Sequence, residues 1–82
     1  MAAHAARGEW QCSRVYATLA RAEPALWHAR RCLELVKAGG EGFEDWDLAS
    51  AHEGLARALL LAGEREDARR HARLAQEALA TA

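Results

Sequence analysis

The sequence is short of the residues that build β-sheets, and this shortage indicates the fold class. It has no isoleucine, and Val15, Val36, Thr18 and Thr81 are the only other β-branched residues, whereas alanine and leucine are abundant. Alanine and leucine are good helix formers, while β-branched residues are enriched in strands. The sequence therefore predicts an all-α protein, and a length of 82 residues predicts a single domain over residues 1–82.

Excess positive charge is also lacking. Lys37 is the only lysine, and 11 basic residues stand against 12 acidic ones, which gives a net charge of −1. A protein that holds a nucleic-acid backbone neutralises several phosphates with a basic surface. The charge balance therefore argues against a nucleic-acid partner.

Cysteines and long hydrophobic runs are scarce as well. Cys12 and Cys32 are too few for a disulfide scaffold, and a bridge between them, although sterically conceivable, is disfavoured in a reducing compartment. The longest apolar run, residues 58–62, is far shorter than the ~20 residues that span a bilayer. The first ten residues lack the apolar core of a signal peptide. We therefore expect a cytoplasmic protein with no membrane partner.

Four helical segments with short links can be read along the chain. The first eight residues are rich in alanine and weakly patterned, so we expect a frayed start. Pro24 suits the first turn of a helix, and glycines at 39 and 63 are typical of helix ends. The predicted helices run from residue 6 or 9 to 20, from 24 to 37 or 38, from a cap at Asp45 or Asp47 to about 62, and from about 64 to 80. An acidic loop, residues 40–48, separates the two halves.

The second half of the chain repeats the first at an offset of 43 residues. EPALWHAR at 23–30 aligns with EDARRHAR at 66–73. In the same register Ser13 falls on Ala56 and Ala20 falls on Gly63. Identical, small and turn residues therefore share one register, which predicts two related helical hairpins.

Residues 6–39 and 49–82 are each 34 residues long. The first carries Glu9-x2-Cys12-Ser13-x2-Tyr16 and then Ala25, Ala29 and Cys32; the second carries His52-x2-Leu55-Ala56-x2-Leu59 and then Gly63, Ala68, Ala72 and Ala75. This pattern resembles the tetratricopeptide repeat, a 34-residue helix–turn–helix unit, with Glu9 and His52 replacing the first aromatic. The resemblance implies antiparallel helices that cross closely at two small pairs: Ser13/Ala25 and Ala56/Ala68.

The resemblance also implies binding of a protein or peptide along the face made by the first helix of each unit. Arg14 and Arg57 repeat at equivalent positions, and arginine binds carboxylates with two parallel hydrogen bonds, so an acidic peptide is one expected ligand. The alternative is that both arginines are solvated and paired with glutamates. The expected inner-face residues are Arg7, Trp10, Arg14, Glu53, Arg57 and Leu60.

Two units are fewer than the three that a stable repeat stack usually needs. We therefore expect a homo-oligomer, preferentially a dimer, that covers the open ends; the alternative is a fragment or accessory of a larger helical-repeat regulator. Trp27 lies off the apolar stripe of its helix and aligns with Arg70, so it is either an interface residue or a ring lying over its own helix or under the loop. The expected oligomer-interface residues are Trp27, Arg31, Phe43 and Trp46.

His28 and Cys32 define the rival class, a small metal- or thiol-bearing protein. They stand four residues apart, a spacing that offers two ligands to a metal. The alternative is that Cys32 is a small buried residue and His28 lies on the helix flank. Because no second paired motif accompanies them, neither a metal nor another cofactor is predicted. No phosphate loop, oxyanion-hole motif or paired cleft carboxylates can be recognised, so no enzyme and no catalytic residue is predicted either.

Overall fold

The computed structural model describes residues 1–81 and confirms the all-α class. Over those residues it contains four helices of 17 residues each and no strand. The helices are α1 (Ala2–Thr18), α2 (Ala22–Ala38), α3 (Asp45–Leu61) and α4 (Arg65–Thr81). Within residues 1–81, no helix is both long enough and apolar enough to cross a membrane.

The chain begins its first helix earlier than predicted. Residues 2–8 are helical rather than frayed, because Ala3 and Ala6 are 0% and 1% exposed. A methyl group built on Gly42 would lie 3.2 Å from the Ala3 Cβ, so the start of α1 packs against the loop. Burial against a distant part of the chain thus sets this boundary.

α3 begins at Asp45, inside the predicted loop of residues 40–48, and its cap is Glu44, one residue before the nearer of the two predicted caps, Asp45 and Asp47. Glu44 and Asp47 form a capping box at this end. The backbone N–H of Glu44 donates to Asp47 Oδ2 at 2.7 Å, and the Glu44 side chain accepts from the Asp47 backbone N–H. Two backbone donors at the helix start are satisfied in this way, which shortens the loop.

The two hairpin turns have the same geometry at the predicted offset. Ala20 and Gly63 both lie in the left-handed region, with φ of 58° and 86°. In the first turn the N–H of Arg21 donates to the Tyr16 carbonyl at 2.8 Å. In the second, the N–H of Glu64 donates to the Leu59 carbonyl at 2.9 Å. These bonds satisfy orphan carbonyls at the ends of α1 and α3.

The helices pack as two hairpins, α1 with α2 and α3 with α4. α3 also packs against α2 and, to a smaller extent, against α1, so it lies over the first hairpin. Over residues 1–81, α4 packs only against α3. The molecule measures 33 × 25 × 17 Å. A groove between α1 and α2 is therefore covered by α3, whereas no helix in this part of the chain covers the groove between α3 and α4.

The core consists largely of small side chains. Ala25 and Ala58 are 0% exposed, and Leu55 and Leu59 are the best-buried larger residues of the core cluster. The buried Ser13 hydroxyl donates to the Ala25 carbonyl at 2.8 Å, so the first hairpin does cross closely at this predicted pair. Small side chains bring the helices together but bury little apolar area each.

Candidate protein-interaction surface

The structure brings three of the six inner-face residues together. Arg14, Arg57 and Leu60 line a shallow pocket of about 610 Å³ between the C-terminal parts of α1 and α3. Arg57 is paired with Glu53 on its own helix, and the Arg14 guanidinium lies 5.4 Å from the centre of the Trp10 ring. Both arginines are surface residues. A guanidinium has five N–H groups, so contact with Glu53 or with the Trp10 ring leaves others able to donate to a ligand.

Arg7 is engaged inside the chain. Its guanidinium donates to both carboxylate oxygens of Asp47, at 3.2 and 2.7 Å, and to the Gly42 carbonyl at 3.1 Å. Asp47 is only 7% exposed. Burial opposes its ionisation, but the hydrogen bonds from Arg7 and from the Glu44 backbone, with the Arg7 charge, lower the pKa of Asp47. Arg7 therefore holds α1 to the start of α3.

Trp10 lies between α1 and α3. A methyl group built on Gly54 would come within 3.1 Å of the Trp10 Cδ1, so glycine is what allows the indole to pack so closely. The indole Nε1 is buried and has no hydrogen-bond partner. Trp10 and Arg7 also line a cavity of about 310 Å³ that reaches Cys32 and Trp46. Trp10 is thus mainly a packing residue at the junction of the two units.

The four residues expected at an oligomer interface have different surroundings. Trp27 is 61% exposed and lies nearly perpendicular to the His28 ring, with centroids 4.9 Å apart. Trp46 is 56% exposed and lines a groove with residues of α4. Phe43 is half-buried against the core, and the exposed Arg31 lies 3.6 Å from Glu34. Trp27 and Trp46 are therefore the two that present large apolar area.

His28 and Cys32 do not converge on a common site. His28 Nδ1 lies 2.6 Å from a Glu9 carboxylate oxygen, and its ring stacks on Tyr16 with centroids 5.6 Å apart. Cys32 is 4% exposed, and burial raises the pKa of its thiol to about 11. Across residues 1–81, the structure shows no group of three or more histidine, cysteine or acidic side chains that could hold a metal.

Sequence reasoning missed a second polar pair between helices. His52 of α3 and His71 of α4 lie with their Nδ1 atoms 2.9 Å apart and their ring centroids 5.1 Å apart. At the offset of 43 residues, Glu9 falls on His52 and His28 falls on His71. The pair Glu9–His28 and the pair His52–His71 are therefore equivalent contacts of the two hairpins. The sequence signal for this contact is the alignment at an offset of 43 residues, which places the two pairs at equivalent positions.

Large apolar side chains are exposed at two faces of the molecule. Val15 and Leu19, 56% and 62% exposed, lie one turn apart at the C-terminal end of α1. Trp46 and Leu79, 56% and 60% exposed, line one groove between α3 and α4. Isolated exposed leucines are ordinary on a protein surface, but clusters of them mark interaction sites.

Comparisons with protein-family models, curated proteins and solved structures found no match to this chain. Any function proposed for the chain therefore rests on the geometry of its surface and on its internal repeat.

Proposed function

We propose that the chain is a tetratricopeptide-like protein-interaction module that associates with itself and binds acidic peptide through its arginine-lined face. The observation that carries the proposal is the proximity of exposed apolar side chains in two places: Val15 with Leu19 at the end of α1, and Trp46 with Leu79 along the α3/α4 hairpin. A small domain with an alanine-rich core also gains most from burying further apolar area by association. We also propose a cytoplasmic location, because the sequence has only two cysteines, too few for a disulfide scaffold.

Self-association is tested by light scattering coupled to size-exclusion chromatography. We expect the weight-average mass to rise above 9.0 kDa as the loaded concentration increases from about 1 µM to about 1 mM, the range in which weak and moderate affinities appear. A constant mass of one chain across that range would contradict self-association.

The peptide ligand is tested with fluorescein-labelled hexaglutamate by fluorescence anisotropy. Arg14 and Arg57 border the same pocket, so Arg14→Ala or Arg57→Ala removes charge-assisted hydrogen bonds to carboxylate, and we expect each to weaken binding about tenfold. Arg73→Ala, an exposed arginine on α4, is the matched control and is expected to bind as the wild type does. Equal loss in all three variants would instead indicate non-specific attraction to positive charge.

A further inference from the structure

α3 packs on the first hairpin through one face, which comprises Asp47, Ala51, Gly54, Leu55 and Ala58. Leu55 and Ala58 of this face belong to the main core cluster, Asp47 is bound by Arg7, and Gly54 lies against Trp10. All five residues of this face are buried.

α1 carries the equivalent face, and it is exposed. At the offset of 43 residues, the buried Leu55 corresponds to Cys12, and Ala58, which is 0% exposed, corresponds to Val15, which is 56% exposed. Leu19, 62% exposed, extends the face by one turn. Because these positions recur at helical spacing, they form one stripe on the side of α1 opposite its core residues. We call this stripe the free face of α1: His4, Gly8, Gln11, Cys12, Val15 and Leu19.

The second hairpin carries an open equivalent of the groove that α3 fills on the first. Ala29 and Leu33 of α2 are 2% and 8% exposed, whereas their counterparts on α4, Ala72 and Gln76, are exposed. Ala6 and Cys32 correspond to Ala49 and Ala75, which form the floor of an open groove of about 390 Å³. We call this the α3/α4 groove: Trp46, Ala49, Ser50, Glu53, Ala72, Ala75, Gln76 and Leu79.

We propose that the free face of α1 in one copy packs into the α3/α4 groove of a second copy. This contact repeats between chains the packing of α3 on the first hairpin within the chain. It rests on the self-association proposed above and names its surfaces. The occupant is a second copy for the following reason. α3 fills the equivalent groove of the first hairpin, and the face of α1 that aligns with the buried face of α3 is exposed on the same chain.

The polar positions of the two surfaces are compatible with this contact. Where α3 places Asp47 against Arg7, the intermolecular contact places His4 against Ser50. Within the chain, Gly54 lies against Trp10. At the equivalent positions the intermolecular contact places Gln11 against Glu53, and the Gln11 amide N–H can donate to that carboxylate. Neither replacement opposes two charges of the same sign, so the contact incurs no like-charge repulsion at these positions.

The contact is head-to-tail, because the face and the groove are different surfaces of one chain. Such a heterologous interface leaves a free face at one end and an open groove at the other, so it does not stop at two copies unless a ring closes. A symmetric dimer of groove against groove would stop at two. The two arrangements therefore differ in how single variants behave.

The decisive experiment uses Val15→Glu on the free face and Leu79→Glu in the groove. Both side chains are more than half exposed, so both variants are expected to keep the helical circular-dichroism spectrum of the wild type. Each is expected to weaken self-association about 30-fold or more in sedimentation velocity, as hot-spot changes do. Mixed in equal amounts, the variants are expected to form a complex of two chains and nothing larger, because each supplies the surface the other lacks. Arg21→Glu, at an exposed residue on neither surface, is the control and is expected to associate as the wild type does.

Each alternative outcome identifies what fails. If the mixture stays monomeric while the wild type associates, the head-to-tail contact is wrong and self-association stands. If Val15→Glu associates normally while Leu79→Glu does not, the grooves meet each other symmetrically. A wild type that stays monomeric at every concentration removes the self-association, and the contact with it.

Cys12 provides an independent readout because it lies on the free face and is exposed in the single chain. Its counterpart Leu55 is 4% exposed, so association is expected to bury the thiol. The rate of reaction with an aromatic disulfide reagent should fall as wild-type concentration rises and stay constant for Leu79→Glu. The buried Cys32, whose pKa is raised by burial, is expected to react slowly throughout. A Cys12 rate that does not change as the protein associates would contradict this contact.

Discussion

At the scale of single residues, the His52–His71 pair is expected to make the stability of the fold depend on pH. Only one of two Nδ1 atoms 2.9 Å apart can donate, so a hydrogen bond requires one of them to accept without a proton. Burial lowers the pKa of His52, and the charges of His71, Lys37 and Arg70 lower it further. Burial is also the largest cause lowering the pKa of His71, followed by the charge of Arg70. The folded chain therefore disfavours protonation of the pair.

This pair predicts a loss of stability on mild acidification. Unfolded histidines titrate near pH 6.5, so below that pH the unfolded state binds more protons than the folded state. The free energy of unfolding should be highest above about pH 6.5 and fall as the pH drops toward the lower pKa values of the folded pair. Urea unfolding at about pH 7.5, 6.5 and 5.5 measures it.

The variant for this test is the double substitution His52→Gln with His71→Gln, which is expected to flatten the fall. His4→Gln, at an exposed histidine, is the control and should keep the wild-type slope; because His4 also lies on the free face of α1, all three proteins are compared at a concentration low enough to keep the chain monomeric. Asp47 does not interfere, because its pKa is lowered in the folded chain, so the stability it contributes is lost only below the ordinary aspartate pKa of 3.8. An unchanged slope in the double variant would refute the assignment to this pair.

The repeat in the sequence indicates which candidate residues lie near one another, but it does not indicate partners that are remote in the chain. Arg14 and Arg57 share a pocket because they occupy equivalent positions on α1 and α3. Arg7 was expected on the same face, yet its partner Asp47 lies 40 residues away and is buried. No local pattern on α1 indicates that ion pair, because it depends on how α3 packs.

At the scale of helices and turns, the equivalence of the two hairpins is testable. Ala20 holds a left-handed conformation that costs an L-residue about 1–2 kcal/mol and that glycine adopts freely. We expect Ala20→Gly to raise the free energy of unfolding by about 0.5 kcal/mol, after the greater flexibility of glycine in the unfolded chain is subtracted. Thermal and urea unfolding measure the change.

Gly63→Ala is the reciprocal variant at the equivalent turn. A methyl group there meets no atom within 4 Å, so its cost is conformational alone, and we expect a loss of about 1 kcal/mol. If both substitutions change stability in the same direction, the two turns do not share the conformation described.

The helix boundaries show what sequence patterns can and cannot supply. The end of α2 at Ala38 and the break at Gly63 were predicted, because glycine marks both. The start of α1 was placed too late, and the cap of α3 is Glu44 rather than Asp45 or Asp47. Burial of Ala3 extends α1, and the Glu44–Asp47 capping box extends α3. Both depend on tertiary or side-chain geometry that an alanine-rich or acidic stretch does not reveal by composition.

At the scale of the whole molecule, the chain combines a core of small side chains with large apolar side chains on its surface. Ala3, Ala25 and Ala58 are 0% exposed, while Leu19, Leu60 and Leu79 are each at least 60% exposed. Because small side chains bury little area, stability and association are expected to be linked, so that unfolding occurs at higher temperature as protein concentration rises.

The most direct test of the central claim is sedimentation equilibrium of the wild-type chain across concentration. An interaction module that associates head-to-tail predicts a weight-average mass that starts at 9.0 kDa in dilute solution and passes twice that value as concentration rises. A mass that stays at 9.0 kDa up to about 1 mM would contradict self-association. A mass that levels off at twice the chain would contradict the head-to-tail contact alone.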